Sequence, residues 1–225
     1  MKMKAVCLFS GGKDSTLALH RAFGKGIKVD ELLTIAPDND YSYMFHKPNI
    51  KFTSLQAESL GIPQTIIATK GDKDEELIDL ESAIEDSNAN LIITGAIASQ
   101  YQKNKVDAIC EKLGIIDYSP LWGIEPLEEL KELSKSFDVI ITKVSADGMD
   151  KSLLGAHIDG DIIIKLLDIE RKFHINLAFE GGEAESFVLD APLFKKRIAI
   201  DKFHVENDGS NGEYIIDSAH LENKV

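Results

Sequence analysis

Short apolar runs alternate with helix-like stretches from the start of the chain to about residue 114. Ala5-Val6-Cys7-Leu8-Phe9 reads as a strand, and Leu19, Ala22 and Phe23 recur at the i, i+3, i+4 spacing of one helix face before Gly24 and Gly26 interrupt the pattern. Glu31-Leu32-Leu33-Thr34-Ile35-Ala36 predicts a second strand ended by Pro37. A polar, aromatic loop over 38–49 follows, then a helix over 50–60 that stops at Gly61-Ile62-Pro63. Gln64 to Ala68 gives a third strand, Leu77, Leu80 and Ile84 mark a helix, and Leu91-Ile92-Ile93-Thr94-Gly95-Ala96-Ile97 gives a fourth strand. Strands that are apolar on both faces and separated by helices belong in a parallel sheet covered on both sides. The pattern therefore predicts an α/β fold with a doubly wound parallel sheet.

Past Gly114 the character changes. Leu130, Leu133 and Phe137 form a helix stripe, Asp138 to Val144 reads as a strand, and Ile163, Leu166 and Leu167 mark a further helix. Ser186 to Leu189 predicts another strand. The runs Lys196 to Val205 and Tyr214 to His220, joined by Asn207-Asp208-Gly209-Ser210-Asn211-Gly212, predict a hairpin. The expected organisation is a sheet domain over 1–118 and a smaller α+β domain over 119–225.

Ligands of doubly wound sheets bind beyond the carboxyl ends of the strands, near the reversal of strand order. Three candidate walls meet there: Ser10-Gly11-Gly12-Lys13-Asp14-Ser15 after the first strand, Ala36-Pro37-Asp38 after the second, and Thr94-Gly95-Ala96 after the fourth. Adjacent glycines allow positive φ, so successive N–H groups can turn inward as an anion nest closed by the next helix N-terminus. Micromolar affinity needs ~8 kcal/mol and helix-dipole attraction supplies only ~0.3 to 1, so several amides and a cation such as Lys13 must act together. A Walker A loop is excluded, because its glycine and its Ser or Thr would fall where Cys7 and Asp14 stand. Gly95 fits either close approach to a nucleotide or strand packing. The second unusual stretch, Phe179-Glu180-Gly181-Gly182-Glu183-Ala184-Glu185-Ser186, places three carboxylates around paired glycines. Alone, it suits a magnesium ion, a cationic group or a solvated acidic turn.

The first hexapeptide resembles the Ser-Gly-Gly-x-Asp-Ser loop of the N-type ATP pyrophosphatases, which split ATP into AMP and pyrophosphate. Other motifs lie between it and the acidic stretch: Tyr43-Met44-Phe45-His46-x-x-Asn49, Gly95-Ala96-Ile97-Ala98-Ser99 with Tyr101-Gln102, Pro120-Leu121-Trp122 and Leu153-Leu154-Gly155. With them, the chain resembles the diphthine ammonia ligase family in order and spacing from end to end. It departs where the family usually has Gly at Phe179, an aromatic at Ala184 and Thr at Ser186. The resemblance implies a Rossmann-like sheet of the HUP type, with ATP and magnesium as cofactors. The implied reaction is amidation of diphthine on translation elongation factor 2 with ammonium, through an acyl-adenylate, giving diphthamide, AMP and pyrophosphate.

The resemblance assigns ATP binding to Ser10, Gly11, Gly12, Lys13, Asp14, Ser15, Ala36, Gly95 and Ala96. Lys13 and Asp14 are its catalytic pair, with Asp14 either holding magnesium or capping the helix. Glu180, Gly181, Gly182, Glu183, Glu185 and Asp190, with His46 and Asn49, fall on the acceptor side, where carboxylates suit the trimethylammonium group of diphthine. Trp122 is expected in the core rather than in an aromatic cage.

Charge and cysteine usage narrow the partners. Lys plus Arg is 25 and Asp plus Glu is 38 in 225 residues, a net charge of −13 that argues against nucleic-acid binding. The two cysteines, Cys7 and Cys110, lie far apart on predicted core positions, and the six histidines show no close pairing, so neither a disulfide framework nor a zinc site is expected. A tRNA-modifying ATP pyrophosphatase and a non-catalytic ATP-binding sensor are the rival functions. Thiolating relatives need reactive cysteines, and no glutaminase segment is evident, so free ammonium is the expected nitrogen source. Without a signal-peptide pattern or an apolar run near 18 residues, a cytoplasmic protein off the membrane is expected, with a homo-oligomer possible.

Overall fold

The computed structural model describes residues 3–37, 49–69, 73–209 and 211–224. Five strands, β1 (Ala5–Leu8), β2 (Val29–Pro37), β3 (Gln64–Thr69), β4 (Leu91–Ile93) and β5 (Ile116–Tyr118), form a parallel sheet in the order β3-β2-β1-β4-β5. Helices α1 (Lys13–Gly24), α2 (Thr53–Leu60), α3 (Lys73–Asp86) and α4 (Gln100–Leu113) connect them. The chain adds strands outward on one side of β1 and then on the other, so strand order reverses between β1 and β4 and opens a crevice above their carboxyl ends. This is the doubly wound α/β sheet that the apolar runs predict.

Side-chain alternation builds the two faces. Val6, Leu33, Ile35 and Ile92 pack with Leu80, Ile84, Val106, Ile109 and Cys110 from α3 and α4. Their neighbours Ala5, Cys7, Leu32, Leu91 and Ile93 face the other way, onto a larger cluster. Burial pushes the Cys7 and Cys110 thiols up to about 12, so both behave as inert core residues. Two details differ from the sequence reading. The fourth strand ends at Ile93 rather than Ile97, and β5 adds a fifth strand that the sequence reading lacked.

The second sheet is antiparallel: β6 (Asp138–Val144), β7 (Ala184–Asp190), β8 (Lys196–Asn207) and β9 (Gly212–Asn223) in the order β7-β6-β9-β8, with α5 (Pro126–Ser136) and α6 (Gly160–Phe173). β8 and β9 pair along nearly their whole length as the predicted hairpin. The larger apolar cluster runs from Cys7, Leu17 and Leu32 through Leu130 and Leu133 into Val139, Leu166 and Phe187, so the two sheets share one core. Trp122 is not part of it. The residue is 38% exposed, with Lys103 Nζ 5.5 Å from its ring, which corrects its assignment to the core. No helix among the described residues is long and apolar enough to cross a membrane.

Candidate active site

The chain leaves β1 at Leu8 and turns through Ser10, Gly11 and Gly12 into α1. Gly11 turns with φ +78°, and a Cβ there would lie 2.3 Å from Gln56 Oε1 and 2.8 Å from Thr53 Cγ2, so glycine is required on both counts. Gln56, fully buried on α2, donates from Nε2 to the Gly11 carbonyl (2.9 Å) and to the Val188 carbonyl on β7 (2.8 Å). The Val188 amide donates to the same Gly11 carbonyl at 3.1 Å. The underside of the loop is thereby stitched to the second sheet.

The N-cap of α1 is Gly12, which offers no side-chain oxygen, so the first turn has no cap from its own N-cap residue. Asp14 stands inside that first turn, where its charge complements the dipole. It is not the cap, which corrects the capping alternative. The hydroxyls of Ser10 and Ser15 meet at 3.2 Å beside this terminus. The Lys13 amide donates across to Ser186 Oγ on β7 at 3.1 Å, so this amide of the expected phosphate cradle already has a partner.

The Lys13 side chain runs down into the protein and is 1% exposed. Its Nζ donates to Asp14 Oδ1, to Oε1 (3.1 Å) and Oε2 (3.0 Å) of Glu129 on α5, and to the Ala178 carbonyl (2.9 Å). The Phe179 ring centroid lies 5.3 Å away. Burial favours the neutral amine, but the Asp14 and Glu129 carboxylates outweigh it and raise the lysine pKa, so Lys13 is an ammonium. Burial and then the neighbouring Asp14 charge push the Glu129 carboxyl up to about 9, against the pull of Lys13. One ammonium thus faces two acids. Sequence reading missed Glu129, although a cue was present. It lies on the same face of α5 as the buried Leu133, one turn away, where an acid demands a buried partner.

The acidic turn approaches from the other side. Phe179 adopts φ +66°, a backbone conformation that costs a non-glycine residue about 1 to 2 kcal/mol. Its buried ring against the Lys13 ammonium offsets that strain. Glu180 accepts from the amides of Ile97 (2.8 Å) and Ala98 (2.7 Å), clasping the turn to the segment that leaves β4. Glu183 folds back on its own turn, accepting from the amides of Asn176 (3.1 Å) and Gly181 (2.8 Å). Glu185 faces Lys143 at 3.4 Å, and Lys143 also meets Glu213 at 3.0 Å. Asp190 pairs with Lys224 at 2.7 Å and accepts from the Ala191 amide.

Loop and turn enclose a cleft of about 1360 Å³, room for a nucleotide and an acceptor side chain together. Ser10, Gly12, Lys13, Asp14 and Ser15 line it on one side, Glu180, Gly181, Gly182 and Glu185 on the other, with Gly95 and Ala96 between. Gly11, Ala36, Glu183 and Asp190 are off its wall, and Leu33 and Ile35 represent β2 there instead. This corrects the expectation that all four acids face an acceptor: Glu183 and Asp190 serve local structure, and Glu180 is a clasp. A Cβ on Gly95 would lie 2.7 Å from the Asp14 carbonyl carbon and 2.8 Å from the Ser15 amide, so this glycine lets the strand end pack against α1. Asn49 lines the cleft, but its amide group is spent on β9, with Nδ2 donating to the Tyr214 carbonyl and Oδ1 accepting from the Ile216 amide, both at 2.9 Å. His46, with Tyr43, Met44 and Phe45, lies outside the described residues. The hairpin adds Glu206, Glu213 and Ile215, which sequence reading did not anticipate because only the β8–β9 register brings them here. Among the described residues no group of three or more His, Cys, Asp or Glu side chains is arranged to hold a metal ion.

Comparison with known proteins places this geometry in a family. Residues 3–117 match the family described as diphthamide synthase N-terminal domain, and residues 125–221 match the diphthamide synthase C-terminal domain. The chain is 29% identical over 251 residues to the diphthine–ammonia ligase of Rattus norvegicus, covering 99% of this chain and 94% of that one. It is 31% identical over 252 residues to that of Bos taurus, again covering 99% and 94%. Identity with the Homo sapiens enzyme is 30% over 227 residues, covering 90% of this chain and 85% of the human one. A solved structure described as a predicted subunit of a tRNA methyltransferase from Methanocaldococcus jannaschii aligns with 85% of this chain and 98% of its own, at 18% identity and a TM-score of 0.48. By the family matches along both halves and the identity to relatives of nearly its own length, the chain belongs to the diphthine–ammonia ligase family.

Proposed function

We propose that the protein is an ATP-dependent ligase that amidates diphthine on translation elongation factor 2 with ammonium, in the cytoplasm, releasing AMP and pyrophosphate. The observation that carries this reading is the uncapped N-terminus of α1, opening at the β1–β4 reversal into a cleft whose far wall is the docked acidic turn. At such termini backbone N–H groups point outward and the helix dipole favours negative charge. Residues 1–118 would bind the nucleotide and 119–225 the acceptor.

A carboxylate is a poor acyl donor because its leaving group would be oxide. Its oxygen instead attacks the α-phosphorus of ATP, the bond to the bridging oxygen breaks, and pyrophosphate departs with the electron pair, leaving an acyl-adenylate. Ammonia then attacks the acyl carbon, the bond to AMP breaks, and a proton is lost from nitrogen. The first-turn amides of Asp14 and Ser15 and the hydroxyls of Ser10 and Ser15 receive the departing pyrophosphate. Lys13 contributes a fixed charge beneath the loop, its own hydrogen bonds being taken by protein acceptors.

Asp14, with one oxygen on Lys13 and a third of its side chain exposed, fits a magnesium ion that draws its other ligands from phosphates and water. Such an ion would neutralise phosphate charge. On the acceptor side the cleft wall carries Glu185, Glu206 and Glu213 beside Lys143 and Lys51, an excess of carboxylates that suits the trimethylammonium group of diphthine.

Purified protein with ATP, magnesium, ammonium and diphthine-bearing elongation factor should form AMP and amide one for one. AMP formation that ignores the acceptor, or tight ATP binding without turnover, would overturn the reading in favour of a nucleotide sensor. Full turnover by Lys13→Ala would remove the Lys13 charge from the mechanism.

A further inference from the structure

We propose that Glu129 is a positioning residue for the nucleotide loop, acting through Lys13 and its neighbour Asp14. This rests on the reading of Ser10 to Ser15 as the nucleotide site. The Lys13 ammonium has three N–H groups and three partner residues, Asp14, Glu129 and Ala178, so one hydrogen bond can go to each. The partners come from three places: Asp14 from the first turn of α1 itself, Ala178 from the segment entering the acidic turn, and Glu129 from α5.

Neither Glu129 nor any other residue of α5 lies on the cleft wall, and the Glu129 side chain is fully buried. Any effect of Glu129 on bound nucleotide must therefore pass through Lys13 and its neighbour Asp14. Asp14 and Ala178 each belong to a segment that could shift along with the site. Glu129 is anchored instead in the shared core beside Leu130 and Leu133, and so fixes where the ammonium sits. Without that carboxyl group Lys13 keeps its charge but loses its fixed address, and the first turn of α1 loses its register against the turn across the cleft.

The test is a cycle on the full-length protein with Glu129→Gln, Lys13→Met and the double variant, following pyrophosphate release with the diphthine-bearing acceptor and, separately, ATP affinity by calorimetry. Misplacement of a catalytic group by about 1 Å is worth about a hundredfold, so Glu129→Gln should lower kcat by roughly that factor while acceptor KM stays within about twofold. In the Lys13→Met background Glu129→Gln should cost far less than in the wild-type protein, in kcat and in ATP affinity, because only its contact with Asp14 then remains.

A Glu129→Gln protein that is folded and turns over normally would overturn the proposal. So would a double variant whose losses multiply. If Glu129→Gln does not fold, Glu129→Asp, which keeps the acid and withdraws it by one methylene, enters the same cycle, with a loss of about tenfold expected and the same two outcomes decisive. Should the wild-type protein release no pyrophosphate, the functional reading fails by itself. The cycle on ATP affinity, which needs no acceptor, still decides whether Glu129 works through Lys13.

Discussion

The two glycine pairs of this chain, Gly11-Gly12 and Gly181-Gly182, have charged neighbours of opposite sign, and both turn those neighbours inward. Lys13 is buried under its loop, and Glu183 is curled into its own turn. They differ in what does the work. In the first loop the working parts are main-chain: a positive φ at Gly11, an uncapped helix terminus, a carbonyl held by Gln56 and Val188. In the second they are side chains, and each finds its meaning in a partner distant in sequence or hidden in the turn: Glu180 in the amides of Ile97 and Ala98, Glu185 in Lys143. A motif that works through its backbone can be read in order along the chain, whereas one that works through side-chain partners cannot.

The strongest test of this contrast is to remove the one charged side chain on which the backbone motif relies. Lys13→Met leaves Asp14 and Glu129 without their cation in a buried site. Stripping one partner from a buried ion pair costs about 3 to 5 kcal/mol, and a loss in that range is expected in urea unfolding at pH 7. An unchanged midpoint would mean that the loop holds its shape by backbone alone and that the lysine is dispensable to the fold.

Next in size is a joint between the two regions. His20 of α1 pairs Nδ1 with the Thr16 carbonyl (2.7 Å), and its Nε2 accepts from the Leu193 amide just past β7 (3.1 Å). Burial, with Lys224 adding to it, lowers the pKa to about 4 from its usual 6.5. Above pH 6.5 both folded and unfolded chains hold a neutral ring. As pH falls toward 4 only the unfolded chain takes up the proton, so stability is lost, by about 2.5 kcal/mol at pH 4.5. His20→Gln should abolish that share of the difference between unfolding at pH 7 and at pH 4.5. An equal loss in wild type and variant would place the acid sensitivity elsewhere.

Much of the fold was legible because long strands and helices announce their period. The helix stripe of α5 through Leu130 and Leu133, the apolar run of β1 and the hairpin all lie where alternation puts them. β5 escaped because Ile116-Asp117-Tyr118 is three residues with an acid at the centre, too short to show a period. Trp122 escaped because its size suggested the core, whereas its ring lies half open beneath Lys103. In the site, Ser10, Gly12 and Asp14 were legible from spacing. Glu129 was obscured by the acids and lysines around it in Glu128-Glu129-Leu130-Lys131-Glu132, which resemble a solvated helix face. The hairpin acids Glu206 and Glu213 had no local cue, since strand register alone carries them to the cleft.

Glu180 tests whether the second motif is held by its clasp. Glu180→Gln keeps one acceptor oxygen for the Ile97 and Ala98 amides and loses the charge of both bonds. It should cost about 1.5 kcal/mol in unfolding and weaken acceptor-dependent turnover more than ATP binding. Equal losses in both would show that the clasp shapes the nucleotide pocket rather than the space facing it.

The smallest effect separates two neighbours inside the acidic turn. Glu183 and Glu185 would be equivalent if the stretch were a solvated run of charge or a uniform cation trap. The structure makes them opposites: Glu183 accepts two amides off the cleft wall, and Glu185 lies on that wall opposite Lys143. Glu183→Gln should therefore cost about 1 kcal/mol in unfolding, since one amide loses a charged acceptor, while leaving acceptor KM unchanged. Glu185→Gln should leave stability nearly intact, because Lys143 retains Glu213 at 3.0 Å, and raise acceptor KM by about threefold to tenfold as one carboxylate of the negative wall is neutralised. Steady-state kinetics and urea unfolding on both variants give a crossed pair of outcomes. If instead both variants raise KM alike, the carboxylates act together on the acceptor and the inward fold of Glu183 opens when the acceptor binds.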